Sequence, residues 1–503
     1  MSPRTSRLAL VAILLAFLAL RLPTALRQGG ATDEEWYAIP GLTVAREGIP
    51  RVPYSRATEP GSVFLGADRL LLAMPPLSFY AQAPFFAVGP VGCGTARLAS
   101  LLAGCAAIVL VYAIARALGW GASAGLWGAA IYSTGRLLYF PAQIARPDMA
   151  CGALGLAAIW AMARWAAGPD RRPRRLALAG AFLGLGGLAH PFALVFAVQV
   201  GLWAALAPGG WRRRSLRAVG VAAMAAAVAL GLWLPLILRA PDLFRAQFVA
   251  NILDPTGPGL LARLAWPWPD AAEHLPLVAE RAGRLPTVAL VGLMAVASAV
   301  AWRRRDRALG LVAGLGWSSV YLLLALQGRH PLQGYWCYPA AFFALAAGRL
   351  TARAVERGRV GSRAAGALAV GLWAVALVPG SGLRATWACV RHRGDVNYDP
   401  IAFTRSILAD VPVDARVSVG AEYALEAYGL RGDRVVLAIH QANYFDSTRV
   451  PYDYAILGRT ALERDFQRAL RGRVVRTYGD AADPFSCFAA LVEPDPAAPP
   501  PAR

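Results

Sequence analysis

Long apolar stretches that alternate with short arginine-rich segments limit this chain more than any other feature of its sequence. A helix needs roughly 20 apolar residues to cross the hydrocarbon core of a bilayer. By length and hydropathy we predict about eleven transmembrane helices. They lie near residues 8–26, 97–118, 122–140, 148–167, 176–189, 191–206, 218–238, 285–302, 309–326, 334–350 and 364–378. A cleaved signal peptide is the alternative for the first stretch, but no clear small-residue cleavage site follows it, so we interpret it as a signal-anchor helix.

The composition agrees with a membrane protein and excludes several other classes. Hydrophobic residues make up 57% of the 503 residues and charged residues only 16%. That is too apolar for a water-soluble enzyme or a disordered chain. The six cysteines are spread over the whole length, which argues against a secreted disulfide scaffold. The net charge of +21 would suit nucleic-acid binding, but the arginines lie in short runs between apolar stretches, so no nucleic-acid partner is predicted.

The distribution of arginine between the short loops predicts the orientation of the chain. Cytoplasmic loops carry an excess of basic residues. The arginine-bearing loops are 116–121, 171–175, 212–217, 303–307 and 353–363, whereas loops 141–147, 190–191 and 327–333 carry few arginines. We therefore expect a cytoplasmic N-terminus, with the candidate outer loops facing the periplasm or exterior. Every basic side chain other than histidine is arginine, and the chain is rich in Ala, Gly and Pro. This composition is typical of a GC-rich bacterial genome, so we predict that the protein lies in the plasma (inner) membrane of a bacterium.

Two long segments are then predicted to lie outside the membrane. The first is the loop 23–93, whose short apolar stretches 70–72 and 79–88 are interpreted as interfacial helices. The second is a small soluble α/β domain at 384–503, which leaves 1–383 as the membrane domain. Its predicted helices are 401–408 and 461–470, its predicted strands are 416–419, 435–439, 453–457 and 474–477, and its end, 494–503, is predicted to be disordered.

Acidic residues that follow the first apolar stretch are the strongest candidates for chemistry. Asp33, Glu34 and Glu35 are expected at the outer membrane surface, where carboxylates near a cavity are often functional. The alternative is that Thr32 or Asp33 caps a helix beginning at Glu34, with the acids in its first turn. The two interpretations are compatible, since a cap would also fix the carboxylate.

Basic and acidic residues on the short outer loops form a second set of candidates. Arg146 and Asp148 flank Pro147 where the fourth predicted helix begins, and helix capping by Asp148 is the alternative. Arg329 could bind a phosphate, because a guanidinium forks onto phosphate oxygens. Metal binding by His190 or His330 is the less favoured explanation of those histidines. There is no P-loop, paired CxxC, HExxH or convincing GxSxG sequence, so ATP-driven transport within this chain, metalloproteolysis and serine hydrolysis are not leading candidates.

The order of the motifs resembles a known superfamily. The motifs are Asp33-Glu34 with Tyr37, Ala45-Arg46-Glu47-Gly48, Pro75-Pro76-Leu77, Arg97-Leu98, Arg146-Pro147-Asp148-Met149, Gly187-Leu188-Ala189-His190-Pro191 and Tyr335 followed by Pro339. Over roughly residues 8–350 this arrangement resembles the polytopic GT-C glycosyltransferases, in the group of the dolichyl-phosphate-mannose–protein mannosyltransferases and the ArnT-like aminoarabinose transferases (glycosyltransferase family 39-like). The resemblance is specific as an ordered set, although each motif alone is loose.

The resemblance implies a GT-C-like polytopic α-helical membrane protein with a large first outer loop. It implies inverting transfer of a sugar from a polyprenyl-phosphate donor to a lipid, glycan or protein acceptor on the outer side. Asp33 would be the catalytic base or would orient the acceptor, Glu34 would be its partner acid, and Asp148 would be the second acidic position. Arg146 and Arg329 are the best candidates to stabilise the leaving phosphate.

One departure from the ArnT-like pattern bears on the substrate. Ala73-Met74 stands where ArnT-like members commonly have an acidic–basic pair before the two prolines. This counts against aminoarabinose transfer to lipid A and against a metal site built on that pair, so no metal ligand is assigned. A divalent metal elsewhere stays open as a cofactor. A transporter or flippase of lipid-linked sugars is the alternative function, but it predicts mid-membrane charges and inverted repeats, which the sequence lacks. A non-catalytic membrane scaffold is a third.

Overall fold

The fold is described here from a computed structural model. It describes residues 2–31, 33–168, 172–207, 211–250, 259–327, 333–356, 382–441, 443–470 and 472–494. In the first part of the chain the helices are α1 Pro3–Arg27, α2 Glu34–Tyr37, α3 Ile39–Glu47, α4 Leu77–Phe86, α5 Cys93–Ala117, α6 Gly121–Thr134, α7 Arg136–Ala142, α8 Asp148–Ala167, α9 Pro173–Ala189, α10 Leu194–Leu206 and α11 Trp211–Arg239. They are followed by α12 Pro241–Phe244, α13 Leu260–Ala265, α14 Trp268–Ala282, α15 Arg284–Arg304, α16 Arg307–Gln327 and α17 Cys337–Glu356.

Six of these helices are long and apolar enough to cross a membrane, counted over the described residues. They are Pro3–Arg27, Cys93–Ala117, Asp148–Ala167, Arg212–Arg239, Arg284–Arg304 and Arg307–Gln327. The prediction of a polytopic α-helical membrane protein is therefore confirmed, whereas the number eleven stays a prediction. The stretch predicted at 364–378 lies outside the described residues.

Several predicted spans are interrupted or shortened in the structure. The stretch 122–140 is divided between α6 and α7, because Gly135 takes an extended conformation with ψ of 136°. The stretch 191–206 begins with a short 3-10 turn at Pro191–Ala193 before α10. His190, immediately before it, is extended, so α9 and α10 are separate helices as the sequence predicted.

Small residues allow two of the long helices to approach each other closely. Gly348 on α17 faces Gly128 on α6, and a β-carbon at Gly348 would overlap the backbone of Gly128 and lie 2.7 Å from the carbonyl oxygen of Ala124. Such close approach of backbones through glycine is a common way for membrane helices to associate. The pair therefore fixes how α6 packs against α17, whose first turn adjoins the candidate site.

We predict that Gly348→Ala destabilises the protein by roughly 1–3 kcal/mol, the usual cost of forcing an extra carbon into a packed interior. Gly231→Ala on α11 is the matched control, since a β-carbon there meets open space. Alanine is also the better helix former, so the control should be neutral or slightly stabilising. Thermal unfolding of both variants in detergent checks this, and equal midpoints would contradict the packing argument.

The C-terminal region is a small α/β domain, as predicted. Its helices are α18 Leu383–Arg391, α19 Pro400–Leu408, α20 Ala424–Arg431 and α21 Ala461–Leu470, and its strands are β1 Val417–Val419, β2 Val435–Leu437, β3 His440–Gln441, β4 Phe445–Asp446, β5 Tyr454–Leu457, β6 Arg473–Gly479 and β7 Phe488–Glu493. Five strands form a sheet in the order β2-β1-β5-β7-β6. β1 is parallel to β2 and β5, β7 is antiparallel to β5 and β6, and β3 and β4 form a separate hairpin.

The C-terminal domain packs against residues 23–93, the segment predicted to form the first outer loop. The amide of Leu437 donates to the carbonyl oxygen of Tyr54 at 3.0 Å, and the amide of Gly30 donates to the carbonyl oxygen of Glu422 at 2.8 Å. One continuous apolar core contains side chains from both parts, among them Tyr54 and Tyr428, whose ring centroids lie 5.9 Å apart. The C-terminal domain thus packs directly against the segment that begins at Asp33.

One expectation for the outer loop is wrong. Leu70–Leu72, expected to be an interfacial helix, has no helical structure, whereas the stretch 79–88 largely coincides with α4. Leu70 and Leu72 pack into an apolar cluster with side chains of α11. The amides of Leu72 and Ala73 instead donate to Oε1 of Gln247, at 2.6 and 2.9 Å. Burial against neighbouring elements, rather than contact with lipid, accounts for these leucines.

Candidate active site

Arg146 joins the two acidic positions that the sequence singled out. Its guanidinium forms ion pairs with the carboxylates of Asp33 and Asp148, and Nε donates to Asp148 Oδ2 at 3.0 Å. The Arg146 and Asp148 side chains are 2% and 0% exposed, whereas that of Asp33 is 36% exposed. Arg146 and Asp148 are therefore buried, and Asp33 is the carboxylate of these three side chains that an incoming molecule can reach.

The backbone at Asp33 has an uncommon conformation. Its φ is +65°, in the left-handed region that few non-glycine residues adopt and in which Asn and Asp are enriched. Asp33 precedes α2, but its side chain makes no capping hydrogen bond with that helix. The carboxylate turns to Arg146 instead, so capping by Asp33 is wrong. Thr32, the other capping candidate, lies outside the described residues.

Asp148 also departs from the capping interpretation. It is the first residue of α8, with Pro147 at the N-cap position. Its Oδ2 accepts from Arg146, while Oδ1 is buried and has no hydrogen-bond partner among the residues that the structure describes. A buried carboxylate oxygen of this kind is costly unless it is paired. The ion pair with Arg146 is what keeps Asp148 in this position.

Glu34 is fully engaged in a separate ion pair. Nε of Arg97 donates to Glu34 Oε1 at 2.8 Å, and Nη2 of Arg97 pairs with Oε2. The amides of Ala31 and Ala145 donate to the same carboxylate at 2.7 and 2.6 Å. Both partners of the pair are buried. Glu34 therefore ties the end of the α1–α2 connection to α5 and to the segment that carries Arg146.

Glu35 is the third acid of the run, and it points into the protein. It is 2% exposed, and its Oε2 has no hydrogen-bond partner among the described residues. Burial, with a further contribution from the nearby Asp33 charge, raises the pKa of Glu35 well above its ordinary value. Burial and the Asp33 charge thus both favour the protonated form of this acid.

His190 and Tyr335 extend the site beyond Arg146. The Tyr335 hydroxyl lies 2.9 Å from His190 Nε2 and 3.5 Å from Arg146 Nη2. The backbone amide of Phe192 donates to His190 Nδ1 at 3.1 Å. Because Nδ1 is an acceptor, the neutral imidazole carries its proton on Nε2 and donates to the Tyr335 oxygen. The Tyr335 proton is then free to be donated to a bound molecule.

The remaining sequence candidates are placed differently. Arg329 and His330 lie outside the described residues. Among the described residues, no three His, Cys, Asp or Glu side chains are grouped so that they could hold a metal ion. His190 is engaged by Tyr335 and by the Phe192 amide, as described above. The described part of the site is thus built from carboxylates, a guanidinium, a phenol and an imidazole.

Part of the chain matches a known family by sequence, and its fold matches solved structures. A model of the family described as dolichyl-phosphate-mannose-protein mannosyltransferase matches residues 73–238. Crystal structures of ArnT from Cupriavidus metallidurans, in the apo state and bound to undecaprenyl phosphate, have TM-scores of 0.61 and 0.60 and sequence identities of 15% and 14%. Each match covers 97% of this chain and 98% of that chain. This chain therefore has the fold of these ArnT structures, and its residues 73–238 are similar to the protein-mannosyltransferase family.

The GT-C fold is also shared with a more distant enzyme. The oligosaccharyltransferase AglB from Archaeoglobus fulgidus, in complex with an inhibitory peptide and a dolichol-phosphate, has a TM-score of 0.52 and 13% identity. That match covers 90% of this chain and 69% of that chain. No curated protein matches the chain at a significant level of sequence similarity. The matched family region contains Arg146 and Asp148 but begins after Asp33.

Sequence reasoning missed part of the candidate site. Arg97 was noted only within a motif, and its pairing with Glu34 was not foreseen. Tyr37 was noted in the same way, although its ring lies 5.1 Å beneath the Arg146 guanidinium. The sequence does point to a role for Arg97, because a lone arginine near the start of an apolar helix needs an acidic partner. Nothing in the local sequence singles out the position of Tyr37.

Gly334 packs directly against Asp148 in the candidate site. A β-carbon at Gly334 would overlap Oδ2 of Asp148, the oxygen that accepts from Arg146. We therefore predict that Gly334→Ala displaces Asp148 and lowers the rate of any reaction at this site at least tenfold, since small misplacements in an active site are costly. Gly314→Ala on α16 is the control, because a β-carbon there meets open space. Equal turnover of both variants would show that this contact does not matter.

Proposed function

We propose that this GT-C protein transfers a sugar from a polyprenyl-phosphate donor to an acceptor hydroxyl, with inversion at the anomeric carbon. The reaction would take place at the outer face of a bacterial inner membrane, with the C-terminal domain on that same side. The observation that carries the proposal is the partly exposed Asp33 carboxylate held by the buried Arg146–Asp148 pair. The ArnT and AglB structures, which are bound to undecaprenyl phosphate and a dolichol-phosphate, support the class of donor.

The proposed reaction is a direct displacement. The acceptor oxygen attacks the anomeric carbon, a new glycosidic C–O bond forms, and the bond from that carbon to the phosphate oxygen breaks. The acceptor proton passes to the carboxylate of Asp33, which acts as general base, and the polyprenyl phosphate leaves with its negative charge. Attack from the face opposite the phosphate inverts the configuration. The leaving group is already an anion, so it needs electrostatic stabilisation more than a proton.

The buried groups would stabilise that leaving phosphate. Arg146 is a permanent positive charge in a water-poor site, where such charges act most strongly. The Tyr335 hydroxyl beside it can donate a hydrogen bond, because His190 already donates to its oxygen. Arg329, four residues before Gln333, is our candidate for a second guanidinium on the phosphate.

Glu34 would act through position rather than by taking a proton. Its oxygens are occupied by Arg97 and by the amides of Ala31 and Ala145. It is adjacent in sequence to Asp33 and anchors that segment to α5. We therefore assign the base to Asp33 alone, and Glu34 to holding Asp33 in place.

The proposal is tested with purified protein, a panel of polyprenyl phosphates that carry different sugars, and methyl glycosides and a serine-containing peptide as acceptors. We expect one donor to be consumed and an equal amount of free polyprenyl phosphate to appear. NMR of the product should show an anomeric configuration opposite to that of the donor. A transporter would instead move the intact donor across a proteoliposome membrane without cleaving it. Reporter fusions that place Asp33 and the C-terminal domain on the cytoplasmic side would contradict the proposed orientation.

A further inference from the structure

The β3–β4 hairpin of the C-terminal domain carries an aromatic ring to the edge of the candidate active site. Tyr444 lies 5.5 Å from Phe64 and 6.4 Å from Trp36, measured between ring centroids. Trp36 and Phe64 stack at 3.9 Å with nearly parallel planes, and both are buried. Tyr444 is 41% exposed, so it is the member of this aromatic cluster that a ligand can touch.

The aromatic cluster is directly connected to Asp33. The amide of Trp36 donates to the carbonyl oxygen of Asp33 at 3.0 Å, in the turn that begins α2. Partial burial raises the pKa of Tyr444, and the Asp33 carboxylate raises it further, as expected for a phenol close to that charge. Tyr444 therefore keeps its proton near pH 7 and can both pack against a ligand and donate a hydrogen bond to it.

The hairpin is held in place by its main chain. The amide of Val63 donates to the carbonyl oxygen of Asn443 at 3.0 Å, and the hydroxyl of Ser62 donates to the carbonyl oxygen of Tyr444. The amide of Tyr444 donates to the carbonyl oxygen of Gln441 at 3.0 Å. These backbone groups already have partners, so the hairpin presents the face of a ring at this position, not a strand edge.

We propose that Tyr444 is the platform on which a carbohydrate acceptor stacks, so that one of its hydroxyl groups reaches Asp33. One face of a sugar ring is lined by C–H groups, which suit the negative face of an aromatic ring, while its hydroxyls project from the edge toward hydrogen-bonding groups. An exposed ring with a carboxylate beside it matches both requirements. An extended peptide that docks by strand addition needs unpaired main-chain groups, which are already used at Tyr444.

This inference rests on the proposed function, whose acceptor it specifies as a glycan. In the proposed transfer, the stacked sugar supplies the attacking hydroxyl, Asp33 takes its proton, and the donor phosphate leaves. Tyr444 takes no part in bond making. Removing its ring should therefore weaken acceptor binding and raise the KM for the acceptor, while leaving cleavage of the donor by water unchanged.

Saturation-transfer NMR on the full-length protein in detergent tests the platform without a known acceptor. The probes are the methyl glycosides of mannose, glucose, galactose and arabinose, together with a short peptide that contains serine and threonine. We expect ring-proton signals from at least one glycoside. Tyr444→Ala should weaken its binding roughly five- to tenfold, whereas Tyr444→Phe, which keeps the ring, should bind nearly as well as the wild type.

Two further variants make the result specific. Tyr478→Ala is the matched control, since Tyr478 lies on β6, at the edge of the sheet opposite to β2, which contacts the first outer loop. Asp33→Asn should keep glycoside binding although it loses transfer, so a failure of the base assignment and a failure of the platform give different results. The platform is overturned if no glycoside binds, if binding is unaffected by Tyr444→Ala, or if the peptide alone binds in a Tyr444-dependent way.

Discussion

Replacing Asp33 with asparagine is expected to lower the turnover of sugar transfer by roughly 10²- to 10⁴-fold, the usual contribution of a positioned general base. Asparagine has nearly the same shape but cannot accept the acceptor proton. Folding should survive, because Asp33 is partly exposed and asparagine tolerates the left-handed backbone at least as well as aspartate. Donor binding should also survive, since Arg146 and Tyr335 are unchanged.

The measurement is release of free polyprenyl phosphate from the donor identified with the wild-type protein, with donor binding followed separately. Asp68→Asn is the control, since it makes the same substitution elsewhere in the first outer loop. Turnover of Asp33→Asn within a few-fold of the control would show that the base lies elsewhere. A loss of donor binding in Asp33→Asn would assign Asp33 to the donor rather than to the acceptor.

The membrane fold could be predicted because hydropathy is a local property of the sequence. The stretches predicted to span the membrane overlap helices wherever the structure describes them, although Gly135 divides one of them between α6 and α7. That Asp33 and Asp148 lie on one side of the membrane was expected from counting those stretches and stays a prediction, while the structure brings both carboxylates to Arg146. The C-terminal strands were found where β-branched residues alternate with breaks, as at Val417–Val419. By contrast, α20 and β7 were missed, because their alanine-rich sequences carry weak periodic signals.

Which of the three adjacent acids is exposed and which are buried could not be predicted from the sequence. Adjacent residues have opposite environments, since the Asp33 carboxylate is partly exposed whereas Glu34 and Glu35 are buried. Which of the three acids faces outward depends on a left-handed turn at Asp33 and on an arginine, Arg97, contributed by a distant helix. Tyr444 comes from another domain. Such contacts are set by tertiary packing, which no local pattern encodes.

The buried pair between Glu34 and Arg97 leads to the largest expected effect on stability. Glu34→Gln removes one charge and leaves the Arg97 guanidinium buried without its counter-charge. Breaking a buried ion pair in this way typically costs roughly 3–5 kcal/mol, because the remaining charge stays out of water without compensation. We expect a marked fall in the unfolding midpoint, together with lower transfer activity, since the pair anchors the segment that carries Asp33.

Glu47→Gln is the matched control for this effect. Glu47 pairs with Arg51, also within the first outer loop, but the two side chains are 34% and 26% exposed. Exposed pairs typically contribute about 0–1 kcal/mol, so this variant should unfold close to the wild type. Thermal unfolding in detergent compares the two substitutions directly. If both variants unfold at the same temperature, the Glu34–Arg97 pair does not anchor the site, and the positioning role assigned to Glu34 fails with it.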